Sequence, residues 1–108
     1  MTGNEYQKLA MTTLNKEIPE SELLINAILG LSGETGEVAD LIKKHKFQGH
    51  DLDEQKLIDE LGDIAWYLAE AATALKVDLD TILERNIEKL KRRFPQGFDK
   101  EKSIHRDE

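Results

Sequence analysis

Cysteine is absent from this sequence, which excludes disulfides, thiolate zinc sites and cysteine nucleophiles together. Proline occurs only at positions 19 and 95, and each marks a break in an otherwise helical pattern. Aromatic residues are scarce, with one tryptophan, two tyrosines and three phenylalanines. The longest uncharged run, Leu23 to Gly33, spans 11 residues, far short of the ~20 that cross a bilayer. The first residues lack the basic-then-apolar order of a secretory signal, so a cytoplasmic protein with no membrane partner is expected. Net charge is −7, which argues against binding a nucleic acid polymer, since such proteins carry a basic face.

What remains is a helical composition. At 108 residues, with 39% hydrophobic and 34% charged residues, the chain is one small all-α domain, and pairing with another copy would help complete its core. Four helices are expected. The first runs from about Asn4 to Asn15. The second opens with Ser21 as N-cap and extends to about Lys44, with Leu24, Ile28, Leu31, Val38 and Ile42 sharing one stripe. A loop over 47–53 leads to Asp53, which caps a third helix reaching about Lys76, with Leu57, Leu61, Ile64, Ala65, Leu68 and Leu75 as its stripe. The fourth starts at Asp78 or Asp80 and ends near Phe94, stopped by Pro95 and Gly97. Residues 99–108 form a charged C-terminal tail.

Two acidic pairs interrupt this pattern: Glu34 and Glu37 in Gly-Glu-Thr-Gly-Glu, and Glu60 and Asp63 in Glu-Leu-Gly-Asp. Residues three apart are neighbours on a helix, so each pair sets like charges side by side along an apolar border. A hard divalent cation reverses that repulsion, because it takes several carboxylate oxygens. Helices joined by a short loop pack antiparallel, which lets the two pairs face one another. An all-oxygen set with no histidine suits Mg²⁺, with Mn²⁺ as substitute, rather than Zn²⁺. A di-iron site would want Glu-x-x-His, and His45, His50 and His105 are not placed to supply it. Mg²⁺ held by carboxylates completes its shell with substrate phosphates. The fourth helix offers Asn86, Lys89 and Arg93 beside its own apolar stripe, where they either bind a polyphosphate or snorkel.

These positions together make the chain similar to the MazG-like all-α nucleoside triphosphate pyrophosphohydrolases. The matching residues are Glu34, Glu37, Glu60 and Asp63, with 22 residues between Glu37 and Glu60. The likeness continues through Gly33, Trp66-Tyr67, Asn86-Ile-Glu-Lys89 and Arg93-Phe-Pro-x-Gly97. It implies a MazG-like domain over residues 1–98, in a four-helix protomer that assembles into a helical-bundle homodimer or dimer of dimers. It also implies Mg²⁺-dependent cleavage of a nucleoside triphosphate to monophosphate and pyrophosphate, with a house-cleaning role on noncanonical nucleotides. By this resemblance the four acids are metal ligands, Glu37 and Glu60 are catalytic, and Asn86, Lys89, Arg93 and Lys44 contact the substrate. Trp66 is a candidate for base stacking, and packing is the competing role. The alternatives are a dUTP/dCTP-type diphosphatase, a phosphoribosyl-ATP pyrophosphohydrolase, or a catalytically silent regulatory dimer.

Overall fold

A computed structural model describes residues 1–105; Arg106, Asp107 and Glu108 of the expected tail lie outside them. The described residues form five α-helices and no strand: α1 (Gly3–Ala10), α2 (Leu23–Phe47), α3 (Glu54–Ala74), α4 (Leu79–Arg93) and α5 (Lys100–Ile104). Short 3₁₀ turns follow α1 (Met11–Thr13) and precede α2 (Glu20–Glu22). Four helices were expected; α5 is the fifth. It forms where an irregular tail was anticipated because Asp99 caps it, accepting from the Glu101 and Lys102 amides.

Several helix ends differ from the sequence reading; α1 stops at Ala10, short of Asn15, and α2 runs past Lys44 to Phe47. Ser21 is not an N-cap: it sits inside the 3₁₀ turn, and Glu22 stands at the cap position without a side-chain bond. The turn already occupies the Glu22 amide, which donates to the Pro19 carbonyl. α3 stops at Ala74 rather than Lys76. Lys76 takes a left-handed backbone (φ 59°), its amide donates to the Thr73 carbonyl, and the Val77 amide reaches Ala72. That is a Schellman stop with lysine where glycine is usual.

The long α2 and α3 form an antiparallel hairpin that dominates the packing. Small residues let the helices approach: Ala27, Ala69 and Ala72 are fully or almost fully buried. At Gly30 an added Cβ would overlap the Tyr67 ring, so the glycine is what lets the tyrosine lie against α2. The register is pinned by Asn26, whose amide donates to both carboxylate oxygens of the wholly buried Glu70, at 3.0 and 2.9 Å.

α1 locks the corner between α3 and α4. The Gln7 amide donates to the Thr73 hydroxyl and the Val77 carbonyl, while its oxygen accepts from the Leu79 amide. Asn4 accepts from the Asp80 amide. These side chains satisfy the first amides of α4, and the N-cap residue Asp78 makes no side-chain bond to them.

The protomer covers only part of the expected stripes: Leu31, Val38, Leu57, Ile64 and Ala65 are half buried. Among the stripe residues, Leu24, Ile28, Ile42, Leu61, Leu68, Leu75, Leu83, Ile87 and Leu90 are all exposed in the protomer, Ile28 by 48% and Ile87 by 49%. A hairpin with three shorter helices has too few layers to cover those stripes. The radius of gyration is 17.0 Å, against about 13 Å for a compact chain of this length. The accessible surface is 8252 Å², against about 6100 Å² for a compact monomer of this mass. No helix among the described residues is long and apolar enough to cross a membrane.

Candidate active site

In the antiparallel register each step forward on α2 is a step back on α3, so the acidic pairs meet. Glu34 and Glu37 on α2 and Glu60 on α3 each present an oxygen within 4.8 Å of the other two. Glu34 and Glu60 are half buried, and Glu37 is exposed. Oε2 of Glu34 and Oε2 of Glu60 are shut off from solvent and have no hydrogen-bond partner. Buried carboxylate oxygens without donors are costly unless a cation or proton serves them. The donor set is all oxygen and anionic, so it fits a hard divalent cation such as Mg²⁺ or Mn²⁺.

Without a cation, the crowding of the acids raises two of their carboxyls. A hydrogen bond shared with Glu60, then the Glu60 charge, holds the Glu37 carboxyl above its ordinary range. A hydrogen bond with Glu34, then desolvation, does the same for Glu60. Folded protein therefore binds more protons than unfolded chain between the ordinary carboxylate value, about 4, and the raised values. Stability from these groups falls as pH rises through that window. Asp40 has the opposite sign: the Lys44 ammonium, at 2.9 Å, lowers its carboxyl first by hydrogen bonding, so its contribution is lost as pH falls. The metal-free protein should melt at a lower temperature at pH 7 than at pH 5. Saturating Mg²⁺ should abolish that difference and release protons on binding. A melting temperature that rises with pH and ignores Mg²⁺ would contradict the assignment.

The cluster stands between two hollows of different character. One, of about 470 Å³, is lined by Glu37, Glu60, Asp40, Lys44 and Lys56, with Gly33 and Gly36 along its edge. Nothing lies within 4 Å of where a Cβ would sit on either glycine, so both leave space rather than serve close packing. The other, of about 310 Å³, is lined by Glu34, Asp63, Trp66 and Tyr67. Asp63 is exposed and joins Glu34 there, outside the group of three converging oxygens. The rings of Trp66 and Tyr67 meet edge to face, 5.1 Å apart. The Trp66 Nε1–H donates to the Thr13 hydroxyl at 2.8 Å and the Ala10 carbonyl at 3.1 Å. Burial, then the charge of Glu34, raises the Tyr67 hydroxyl; burial, then Asp63, raises that of Tyr6 on α1.

The remaining expected residues divide. Lys44 borders the carboxylates. Asn86 and Lys89 line a groove of about 700 Å³ along α4, with Arg85, Glu88 and Arg92, and it shares no residue with the other two hollows. Arg93 is half buried at the end of α4. Sequence reasoning passed over Lys56 and Asp40, although each lies one helical turn from an acid of the cluster. It gave no part to Thr13, whose contact with Trp66 spans 53 positions. His45 lies in the last turn of α2, away from the acids, its Nδ1 2.8 Å from the His50 carbonyl.

The family model for the MazG nucleotide pyrophosphohydrolase domain matches residues 24–98. "Gene 37 protein" of Mycobacterium phage L5 is 40% identical over 73 residues, which is 64% of this chain and 64% of that protein. The chain's match thus spans less than two thirds of that relative's length. No solved structure matches significantly.

Proposed function

This chain belongs to the MazG nucleotide pyrophosphohydrolase family, and from that premise we propose that it hydrolyses a nucleoside triphosphate to the monophosphate and pyrophosphate. The observation that carries this reading is the meeting of Glu34, Glu37 and Glu60, with two buried oxygens that have no hydrogen-bond partner. In this reading Glu34, Glu37, Glu60 and Asp63 hold Mg²⁺, for which Mn²⁺ can substitute. A bound divalent cation supplies charge to neutralise the triphosphate and lowers the pKa of water at the site.

The chain's own residues divide the substrate between the two hollows. Lys44 and Lys56 lie where a phosphate chain would sit beside Glu37 and Glu60, and they stabilise charge as it develops on the leaving pyrophosphate. Glu37, exposed and facing the same hollow, takes the proton from the water that attacks the α-phosphorus. The bond from that phosphorus to the bridging oxygen breaks, and pyrophosphate leaves with the bonding electrons. Trp66 and Tyr67, on the other side of the acids, receive the nucleoside.

Asn86 and Lys89 enter the site by assembly in this account, since the α4 groove they line shares no residue with the carboxylate hollows of its own protomer, and Arg93, on the same helix, comes with them. Two features support a homodimer or dimer of dimers. The stripe of Leu83, Ile87 and Leu90 on α4 is exposed, and the surface exceeds that of a compact monomer by an amount typical of large interfaces. The protein is read as cytoplasmic, with a house-cleaning role on noncanonical nucleotides. Pyrophosphate release should be measured over a panel of NTPs, dNTPs and damaged nucleotides. Mg²⁺-dependent release from at least one of them, abolished by excess EDTA, is expected; turnover that persists in EDTA would overturn the reading.

A further inference from the structure

We infer that α1 and the 3₁₀ turn after it belong to the working site: through Ala10 and Thr13 they set the Trp66 ring as the wall against which a planar nucleobase lies. Thr13 is then a positioning residue. The inference rests on the proposed function, because it concerns the nucleoside end of the same site.

The matched family domain begins at residue 24, so α1 lies outside it. Even so, α1 is tied to α3 and α4 by Gln7 and Asn4, which makes it a fixed platform. From that platform a small network reaches Trp66. The Thr13 hydroxyl donates to the Ala10 carbonyl at 2.7 Å and accepts from the indole Nε1–H at 2.8 Å, while the same carbonyl also accepts from the indole. The only polar atom of the ring is thereby turned toward α1. An indole held at its polar edge keeps its orientation while offering apolar surface. Tyr67 completes the frame: Gly30 gives it room against α2, and it meets Trp66 nearly at right angles, 83° between planes. The hollow they border with Glu34 and Asp63 has about 310 Å³, at the lower end for a small-molecule pocket, enough for one heterocycle. Tyr6, on the same helix, lies near enough to Asp63 to feel its charge.

Trp66 is the sole tryptophan, so its emission reports this spot alone. The test uses the full chain with Mg²⁺ and the α,β-imido analogues of dATP, dCTP, dGTP and dUTP, which bind without turnover. Binding is followed by Trp66 emission and by calorimetry, with inorganic tripolyphosphate as the probe that lacks a base. Thr13→Val should shift Trp66 emission and weaken the best nucleotide analogue about fivefold, the worth of one neutral hydrogen bond. Tripolyphosphate affinity should hold, and Thr13→Ser should restore nucleotide binding. Equal loss for nucleotide and tripolyphosphate, or no loss for either, would overturn the inference. So would a wild-type emission that no nucleotide changes. If nucleotides bind and Thr13→Val weakens them, yet no pyrophosphate is released from any natural triphosphate, the hydrolytic reading fails and the positioning role stands.

Discussion

Replacing Glu60 by glutamine should cut pyrophosphate release by roughly a hundred- to a thousandfold and at the same time raise the melting temperature of the metal-free protein. The two effects have one cause. Glu60 is the α3 member of the cluster and presents an oxygen within 4.8 Å of both acids from α2. A glutamine there has nearly the same shape but can donate to Glu34 or Glu37, which removes a repulsion and satisfies a buried oxygen. It cannot supply the charge that a divalent cation requires. Sites that act on strongly charged substrates commonly hold such destabilising groups, and removing one exchanges activity for stability. Activity within tenfold of wild type, or a lower melting temperature in the absence of metal, would contradict the role given to Glu60.

Asn26→Ala should be among the most destabilising single changes in the chain. Glu70 is the one charged side chain among the described residues classed as buried, with no exposure at all, and Asn26 donates to both of its oxygens. Removing the amide leaves a buried acid without that partner, which costs about 3–5 kcal/mol for comparable buried pairs. Glu70→Gln keeps an oxygen acceptor and should cost only about 1 kcal/mol. Replacing both residues, Asn26→Leu with Glu70→Met, should recover most of the loss, since apolar packing replaces buried polar pairs with little penalty. Urea unfolding of the four proteins reads the series. An Asn26→Ala protein within about 1 kcal/mol of wild type would show that the pair does not pin the hairpin.

The helices were legible because their signals are local. Asp53 was read as the cap of α3 and is one, accepting from the Lys56 amide, and Pro95 ends α4 at Arg93. The Ser21 cap failed because serine shares its propensity with the competing 3₁₀ turn. The α3 end failed because a lysine occupies the left-handed stop normally marked by glycine. The extent of the core was misjudged for a different reason: a helical wheel finds the apolar face but cannot say whether the same protomer covers it. Here the fully buried positions between α2 and α3 are alanines and Glu70; Leu31, Val38, Leu57 and Ile64 are half buried; and Leu24, Ile28, Ile42, Leu61, Leu68 and Leu75 are exposed.

The meeting of Glu34, Glu37 and Glu60 was suggested by spacing, since i, i+3 pairs on antiparallel neighbouring helices can share a face. Nothing in the spacing divides the acids between hollows, and the separation of Asp63 from the three converging oxygens emerged only from the register. Pairs such as Asn26–Glu70 and Thr13–Trp66 lie beyond any local pattern, because they join residues 44 and 53 positions apart. The α4 residues Asn86 and Lys89 line a separate groove, because α4 leans on α1 and α3.

The most direct measurement is an anomalous-difference map from crystals grown with Mn²⁺. It should show a peak about 2.1 Å from carboxylate oxygens of Glu34, Glu37 and Glu60, weakened or lost in the Glu60→Gln protein. A map with no peak among those three residues, or with manganese only at scattered surface acids, would contradict the account.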